Sequence, residues 1–236
     1  MIQLFLRRYA EAEAAAVLPF VVGPRVLDLG AGEGYVAAAL RARRGLWACS
    51  VDVGAFRRAA GPYVAYDGAR LPFGAAAFDT TVLLLTLHHC AEPEAVLDEA
   101  LRVTRRRLIV TESVYRNRLE RFWLDRLDGW LNSRRHDGRM SVPRAFRRPE
   151  GWLRLFRSRD LRLMESRWLG SWLERLVHHP LLFVLDRSGG RSLDSLQRAP
   201  VDSVTQIAGG GLVEDGGSPG GAGPRGAHAR RRRGRA

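Results

Sequence analysis

Short apolar runs alternate with helix-patterned stretches along most of the chain. Arg25-Val26-Leu27-Asp28-Leu29 has the pattern of a buried strand. It runs through Gly30-Ala31-Gly32-Glu33-Gly34 into an Ala-rich helical stretch at residues 35–44. Further strands are predicted at residues 46–52, 63–66, 81–85 and 108–111, with helices at 53–60 and 94–103 between them. Residues 118–131 read as an amphipathic helix, and Pro149 opens another in which Trp152, Leu153 and Phe156 share helical spacing. Two more strands, 161–165 and 181–185, bring the number to seven. Strict alternation of this kind predicts an α/β domain with a mostly parallel sheet and helices on both faces.

The pattern stops after residue 187. Residues 188–236 contain 12 Gly and 3 Pro and end in Arg230-Arg231-Arg232-Arg233-Gly234-Arg235, a composition that predicts a disordered tail. The organisation expected is one domain at 1–187, with a substrate-side insertion at 114–146, followed by that tail. With 236 residues and 46% hydrophobic positions the chain can bury one sizeable core. No apolar run is long enough to cross a bilayer, and no basic region precedes the short apolar opening, so a cytoplasmic protein is expected, with membrane association left open. Cys49 and Cys90 are too few for a disulfide framework or a thiolate metal centre, and no metal is expected.

The net charge of +13 is uneven: −2 over residues 1–100, +11 over 101–187 and +4 over 188–236. All 38 basic residues are Arg. The middle surplus fits either a solvated basic surface or a face turned toward an anionic partner.

In an open parallel sheet, ligands sit beyond the carboxyl ends of the strands, which directs attention to the first strand-to-helix turn. The turn here, Asp28 to Gly34, lacks the third glycine of the dinucleotide fingerprint, whose place is taken by Tyr35. It also lacks the Gly-Lys-Ser/Thr of a triphosphate loop. The stretch V-L-D-L-G-A-G-E-G-Y resembles the first motif of class I S-adenosylmethionine-dependent methyltransferases, in the small-molecule branch called methyltransferase type 11. Companions follow in order: Asp52 at the end of the second strand, Asp67 in Tyr66-Asp67-Gly68-Ala69, Leu71-Pro72-Phe73 before Phe78-Asp79, then Leu87-His88-His89 and Glu99-Ala100-Leu101-Arg102-Val103. The likeness covers about residues 20–112. It departs at residues 104–108, where many members have a Pro-Gly-Gly turn and a tighter basic turn is expected.

The resemblance implies a Rossmann-like, doubly wound, mostly parallel seven-stranded sheet with an antiparallel final strand, and S-adenosyl-L-methionine as cofactor. It implies that Gly30, Ala31, Gly32 and Gly34 cradle the amino-acid end of that cofactor and that Asp28 orients the loop. Asp52 would meet the ribose and Asp67 the adenine, with Val53, Gly68, Ala69 and Leu87 also among the cofactor-binding residues. Each acid could instead cap a helix or turn. Methyl transfer from a sulfonium mainly requires alignment, with His89 or His88 available to accept an acceptor proton. Either histidine could equally pack beside the cofactor or bond the backbone.

Cys90 follows His89, without the Pro-Cys of covalent pyrimidine methylation, and no Asn/Asp-Pro-Pro-Tyr/Phe loop for adenine methylation is present, which disfavours nucleic acid as acceptor. In the insertion Tyr115, Phe122, Trp123, Trp130 and His136 lie among many arginines, with Trp152, Trp168 and Trp172 later. This mixture suits a small apolar acceptor with an anionic end, lipid-like or carrier-borne, or a peripheral membrane contact. Arg134 and Arg135 are candidates for the anion. A non-catalytic S-adenosylmethionine-binding or regulatory protein, and an RNA methyltransferase, are the competing readings.

Overall fold

The computed structural model describes residues 2–135, 145–170 and 179–187. The strands are β1 (Arg25–Leu29), β2 (Trp47–Asp52), β3 (Tyr63–Ala65), β4 (Phe78–Leu84), β5 (Thr104–Ser113), β6 (Leu161–Trp168) and β7 (Pro180–Arg187). They form one sheet in the order β3-β2-β1-β4-β5-β7-β6. The pairs from β3 through β5 are parallel, whereas β7 runs antiparallel to both β5 and β6. The order reverses at β1, so the β1 and β4 carboxyl ends form the crevice in which this architecture places ligands.

The helices are α1 (Ile2–Val17), α2 (Tyr35–Arg44), α3 (Pro93–Val103), α4 (Arg118–Arg135) and α5 (Pro149–Arg157). Because strand side chains alternate between faces, Val26, Ala48, Val82, Ile109, Leu182 and Val184 point one way. They meet Ala10, Ala14 and Val17 of α1 and Val36, Ala37 and Leu40 of α2. On the opposite face α5 buries Trp152 and Phe156, and Phe156 meets Phe183 of β7 edge-on with centroids 5.3 Å apart. Ion pairs between Arg147 and Glu94 and between Arg159 and Asp98 tie the flanks of α5 to α3. A reciprocal cap starts α4: Asn117 Oδ1 accepts the Glu120 N–H at 2.9 Å, and Glu120 Oε2 accepts the Arg116 N–H at 2.6 Å.

Two sequence expectations need correction, and one element was missed. Residues 53–60 are not a helix, because their amides bond elsewhere: the N–H groups of Arg58 and Ala59 donate to the Glu33 carbonyl at 3.0 and 2.9 Å. Residues 104–108 are not a turn. Helix α3 ends at Val103 and β5 begins at Thr104, whose hydroxyl donates back to the Ala100 carbonyl at 2.6 Å. Arg107 is then held within the sheet by Asp186 of β7 at 2.7 Å. Helix α1 was not anticipated, since its buried stripe is largely alanine and carries a weak hydrophobic signal. The tail at 188–236, together with His136 and Trp172, lies outside the described residues, as do the side chains of Trp130, Arg134 and Arg135.

Trp152 is completely buried beneath α5 and stacks near Phe156. Trp152→Ala is expected to destabilise the domain by about 3–5 kcal/mol, the usual cost of deleting a core aromatic. Urea denaturation checks this.

Candidate active site

The turn leaving β1 is shaped from the neighbouring strand. The N–H groups of Gly30 and Ala31 both donate to the carbonyl of Val51, at 2.8 and 3.1 Å, and Gly32 N–H donates to Asp52 Oδ2 at 2.7 Å. Gly34 N–H closes the turn onto Ala31 O at 2.9 Å. At Gly30 the backbone has φ +76°, and a Cβ there would lie 2.2 Å from the Thr86 methyl, so both conformation and space demand glycine. From outside, residues 53–60 clasp the loop. Beyond the two amide bonds to Glu33 O, the Tyr63 hydroxyl lies 3.0 Å from Gly32 O and 2.9 Å from Gly54 O, able to donate to one at a time.

Two carboxylates flank this loop. Asp28 Oδ2 accepts the Ala37 N–H at 3.1 Å and so caps the first turn of α2. Asp28 is buried, and desolvation raises its pKa to about 7 against the Ala37 hydrogen bond, with the Asp52 charge raising it further. Asp52 is only 7% exposed, and its Oδ1 accepts the Val53 N–H at 2.7 Å. Paired acids beside amides that already have acceptors make a poor phosphate cradle. They suit a ligand that brings hydroxyl donors and positive charge, and the hydroxyls, ammonium and sulfonium of S-adenosylmethionine fit that donor set. Val53 and Gly68 come together here, since a Cβ on Gly68 would lie 3.4 Å from Val53 Cγ1. Asp67 caps its own turn: the N–H groups of Arg70 and Ala69 donate to Oδ1 at 3.0 and 2.9 Å and hold its pKa below the usual range.

Beyond β4, Leu87, His88 and His89 form a short 3-10 turn. Leu87 is fully buried. Its N–H donates to Glu112 Oε1 at 2.7 Å, while Glu112 Oε2 lies 2.5 Å from His88 Nδ1. Glu112, at the end of β5, is itself fully buried. The His88 ring is stacked against Phe146, with centroids 4.7 Å apart, and lies 3.9 Å from the ring of His89. Of the two histidines His88 is buried and braced, whereas His89 is half-buried. Burial pushes the Cys90 thiol up to about 12, with the charges of Glu112 and Asp52 adding to it, the reverse of what a thiolate nucleophile needs.

Residues 27–109 match the family model described as a methyltransferase domain. Over that span the chain is similar to methyltransferase domains, and its fold is shared with solved methyltransferases. Curated relatives include the demethylmenaquinone methyltransferases of Mycobacterium bovis and Mycobacterium tuberculosis, each 37% identical over 112 residues, which is 44% of this chain and 47% of theirs. The likeness thus spans about half the length of these relatives. Among solved structures, a putative Haloferax volcanii methyltransferase in complex with its activator superposes with a TM-score of 0.63 at 18% identity, covering 80% of this chain and 93% of that one. Magnesium protoporphyrin IX methyltransferase from Synechocystis, solved with bound S-adenosylhomocysteine, gives a TM-score of 0.55 at 16% identity, covering 79% and 85%.

The structure gathers Asp28, the glycine loop, Asp52, Val53 and Gly68 at one end of the sheet. The Leu87 N–H is bonded instead to Glu112, and the Asp67 carboxylate is engaged by its own turn. Sequence reasoning missed Glu112, Tyr63 and Thr86. A carboxyl within the apolar run L-I-V-T-E-S is costly to bury without a partner, so Glu112 could have been noticed on that ground. Tyr63 and Thr86 carry no comparable signal.

Two expectations follow for this site. Asp28 binds more protons folded than unfolded between its ordinary value of 3.8 and about 7. Its contribution to stability is therefore present at low pH and lost as pH rises through 7, by at most about 1.4 kcal/mol per pH unit. Asp28→Asn retains an acceptor oxygen for Ala37 and removes the ionisation. Urea midpoints from pH 5 to 8 should fall less for the variant than for the wild type, and parallel curves would refute the assignment. Glu112→Ala leaves the buried Leu87 N–H and His88 Nδ1 without their shared partner, at about 1–3 kcal/mol for each. Equilibrium denaturation reads that loss, and Glu112→Gln, which preserves the acceptor for Leu87, should recover part of it.

Proposed function

We propose that this protein transfers the methyl group of S-adenosylmethionine to a small organic acceptor with an apolar body and an anionic end. The observation that carries the reading is the way the glycine loop is hydrogen-bonded. Its first three amides are engaged by Val51 O and Asp52, and Asp28 and Asp52 stand beside them, which disfavours a phosphate ligand and suits a cationic one. When bound, the cofactor supplies a methyl carbon already activated by the sulfonium, so the chain's own task is to position the partners and exclude water. Asp52 offers acceptor oxygens to the ribose hydroxyls, and Gly30, Ala31, Gly32 and Gly34 form the floor beneath the amino-acid end. His89, the more open of the paired histidines, is the candidate to take up an acceptor proton, while Glu112 positions its neighbour His88.

The acceptor reading draws on the arginine and aromatic content of residues 101–187. The curated relatives are named for demethylmenaquinone, a small molecule rather than a nucleic acid, which supports that side of the choice. On α4, Leu119, Phe122 and Trp123 are exposed beside Arg118, Arg121 and Arg126, and the Arg126 guanidinium lies 5.1 Å from the centre of the Phe122 ring. An apolar face edged by arginines favours an acceptor met at an anionic lipid surface. Among the described residues no helix is long and apolar enough to cross a membrane.

Calorimetric titration should show binding of S-adenosylhomocysteine and none of NAD or ATP. Asp52→Ala should weaken it by roughly 1.5–3 kcal/mol, the range for hydrogen bonds to a charged group. Cell extracts supplied with methyl-labelled S-adenosylmethionine and the protein should place the label in a small acidic or lipid fraction. Binding of NAD without S-adenosylhomocysteine, or label confined to RNA, would overturn the proposal.

A further inference from the structure

Beside the β5 end of the sheet is a cavity of about 540 Å³. Its walls include Tyr115, two residues beyond β5, and Phe146, Leu155, Arg147, Arg148 and Arg154 from α5 and the segment leading into it. The two walls are locked together by the bridge between Val114 and Arg147. The cavity communicates with the candidate active site through direct contacts. Phe146 stacks on His88, Ala145 N–H donates to His88 O at 2.8 Å, and Thr86, two residues before His88, lies against Gly30 of the glycine loop.

The lining divides by chemistry. Phe146 and Leu155 are buried and Tyr115 is half-buried, which gives an apolar interior. Of the three arginines, Arg147 is occupied by Glu94 and lies over the Trp152 ring at 5.2 Å. Arg148 and Arg154 have no acid within ion-pair distance among the described residues, and the neighbouring acid Glu150 does not line the cavity. The Arg148 guanidinium lies 5.9 Å from the centre of the Tyr115 ring, and that of Arg121 lies 5.5 Å from the same centre. Two guanidiniums without carboxylate partners among the described residues, set beside Phe146 and Leu155, form a site for an oxyanion carried on an apolar body, since arginine binds carboxylate and phosphate through paired hydrogen bonds.

We propose that this cavity is the acceptor-anchoring subsite: Arg148 and Arg154 hold a carboxylate or phosphate group while Tyr115, Phe146 and Leu155 take the apolar body. The inference rests on the methyl-transfer reading for its role and on the cavity alone for its ligand chemistry. It also moves the anion contact from Arg134 and Arg135, suggested by sequence, to a pair of arginines on and before α5.

Three matched probes test it: 2-naphthoate, 2-naphthyl phosphate and the neutral 2-naphthalenemethanol, titrated into the full chain. At least one of the two anions should bind about tenfold or more tightly than the alcohol, and whichever does so names the head group as carboxylate or phosphate. The double variant Arg148→Gln/Arg154→Gln should erase that preference while its affinity for S-adenosylhomocysteine stays unchanged. Should the double variant fail to fold, Arg154→Glu, a change at an exposed position, reads the same preference. Equal affinity for all three probes, or a preference that survives the substitutions, overturns the proposal. Titration of S-adenosylhomocysteine in the same samples separates the two readings. Intact cofactor binding without anion preference defeats the cavity alone, and anion preference without cofactor binding defeats methyl transfer while leaving the cavity as an anion site.

Discussion

The end of β2 holds the candidate site in shape. Val51 supplies one carbonyl that accepts two amides of the glycine loop, and the next residue, Asp52, accepts a third amide from that loop and one from Val53. Four backbone donors are thus satisfied by two consecutive residues on a neighbouring strand, and the parallel pairing of β1 with β2 sets their relative height. Slip that register by one residue and the carboxylate would turn to the other face. The loop and the placement of the Asp52 carboxylate depend on this alignment.

The buried acids serve different ends. Asp28 is walled in beneath α2, where desolvation raises its pKa, and it organises the helix start through a single amide. Glu112 is equally buried yet divides its two oxygens between a backbone N–H and an imidazole. It thereby links the turn after β4 to the end of β5. Phe146 continues that line outward into the arginine-rimmed cavity. A continuous run of contacts therefore leads from the glycine loop to the arginine-lined cavity.

The strands and the glycine loop were legible because their signals are local: apolar runs of strand length, and glycines needed where φ is positive. Asp52 was legible because it ends such a run. Tyr63 and Thr86 were not, since their roles depend on which carbonyl or glycine lies across the sheet, information carried by topology rather than by neighbours in the chain. The non-helical path of residues 53–60 was hidden for the same reason, as the partner of its amides is Glu33, more than twenty residues earlier. The basic stretch at Arg105-Arg106-Arg107 misled through its polarity. In the sheet Arg107 meets Asp186 of β7, a partner that only the finished pairing supplies. The cavity was beyond reach, because Tyr115 and Arg154 are brought to its two facing walls by the packing of α5.

The position of β7 has a consequence for how the chain matures. This strand, among the last described, is inserted between β5 and β6 rather than added at the rim. Until Pro180–Arg187 has been synthesised, β5 can pair only on its β4 side, and its other edge offers open hydrogen-bonding groups to any passing strand. A ribosome-bound chain could complete the half that carries the glycine loop well before it can seal the half built around β5. Closure of the sheet then awaits a contact spanning about seventy residues, the kind of late, long-range pairing that slows folding and leaves nascent chains open to aggregation.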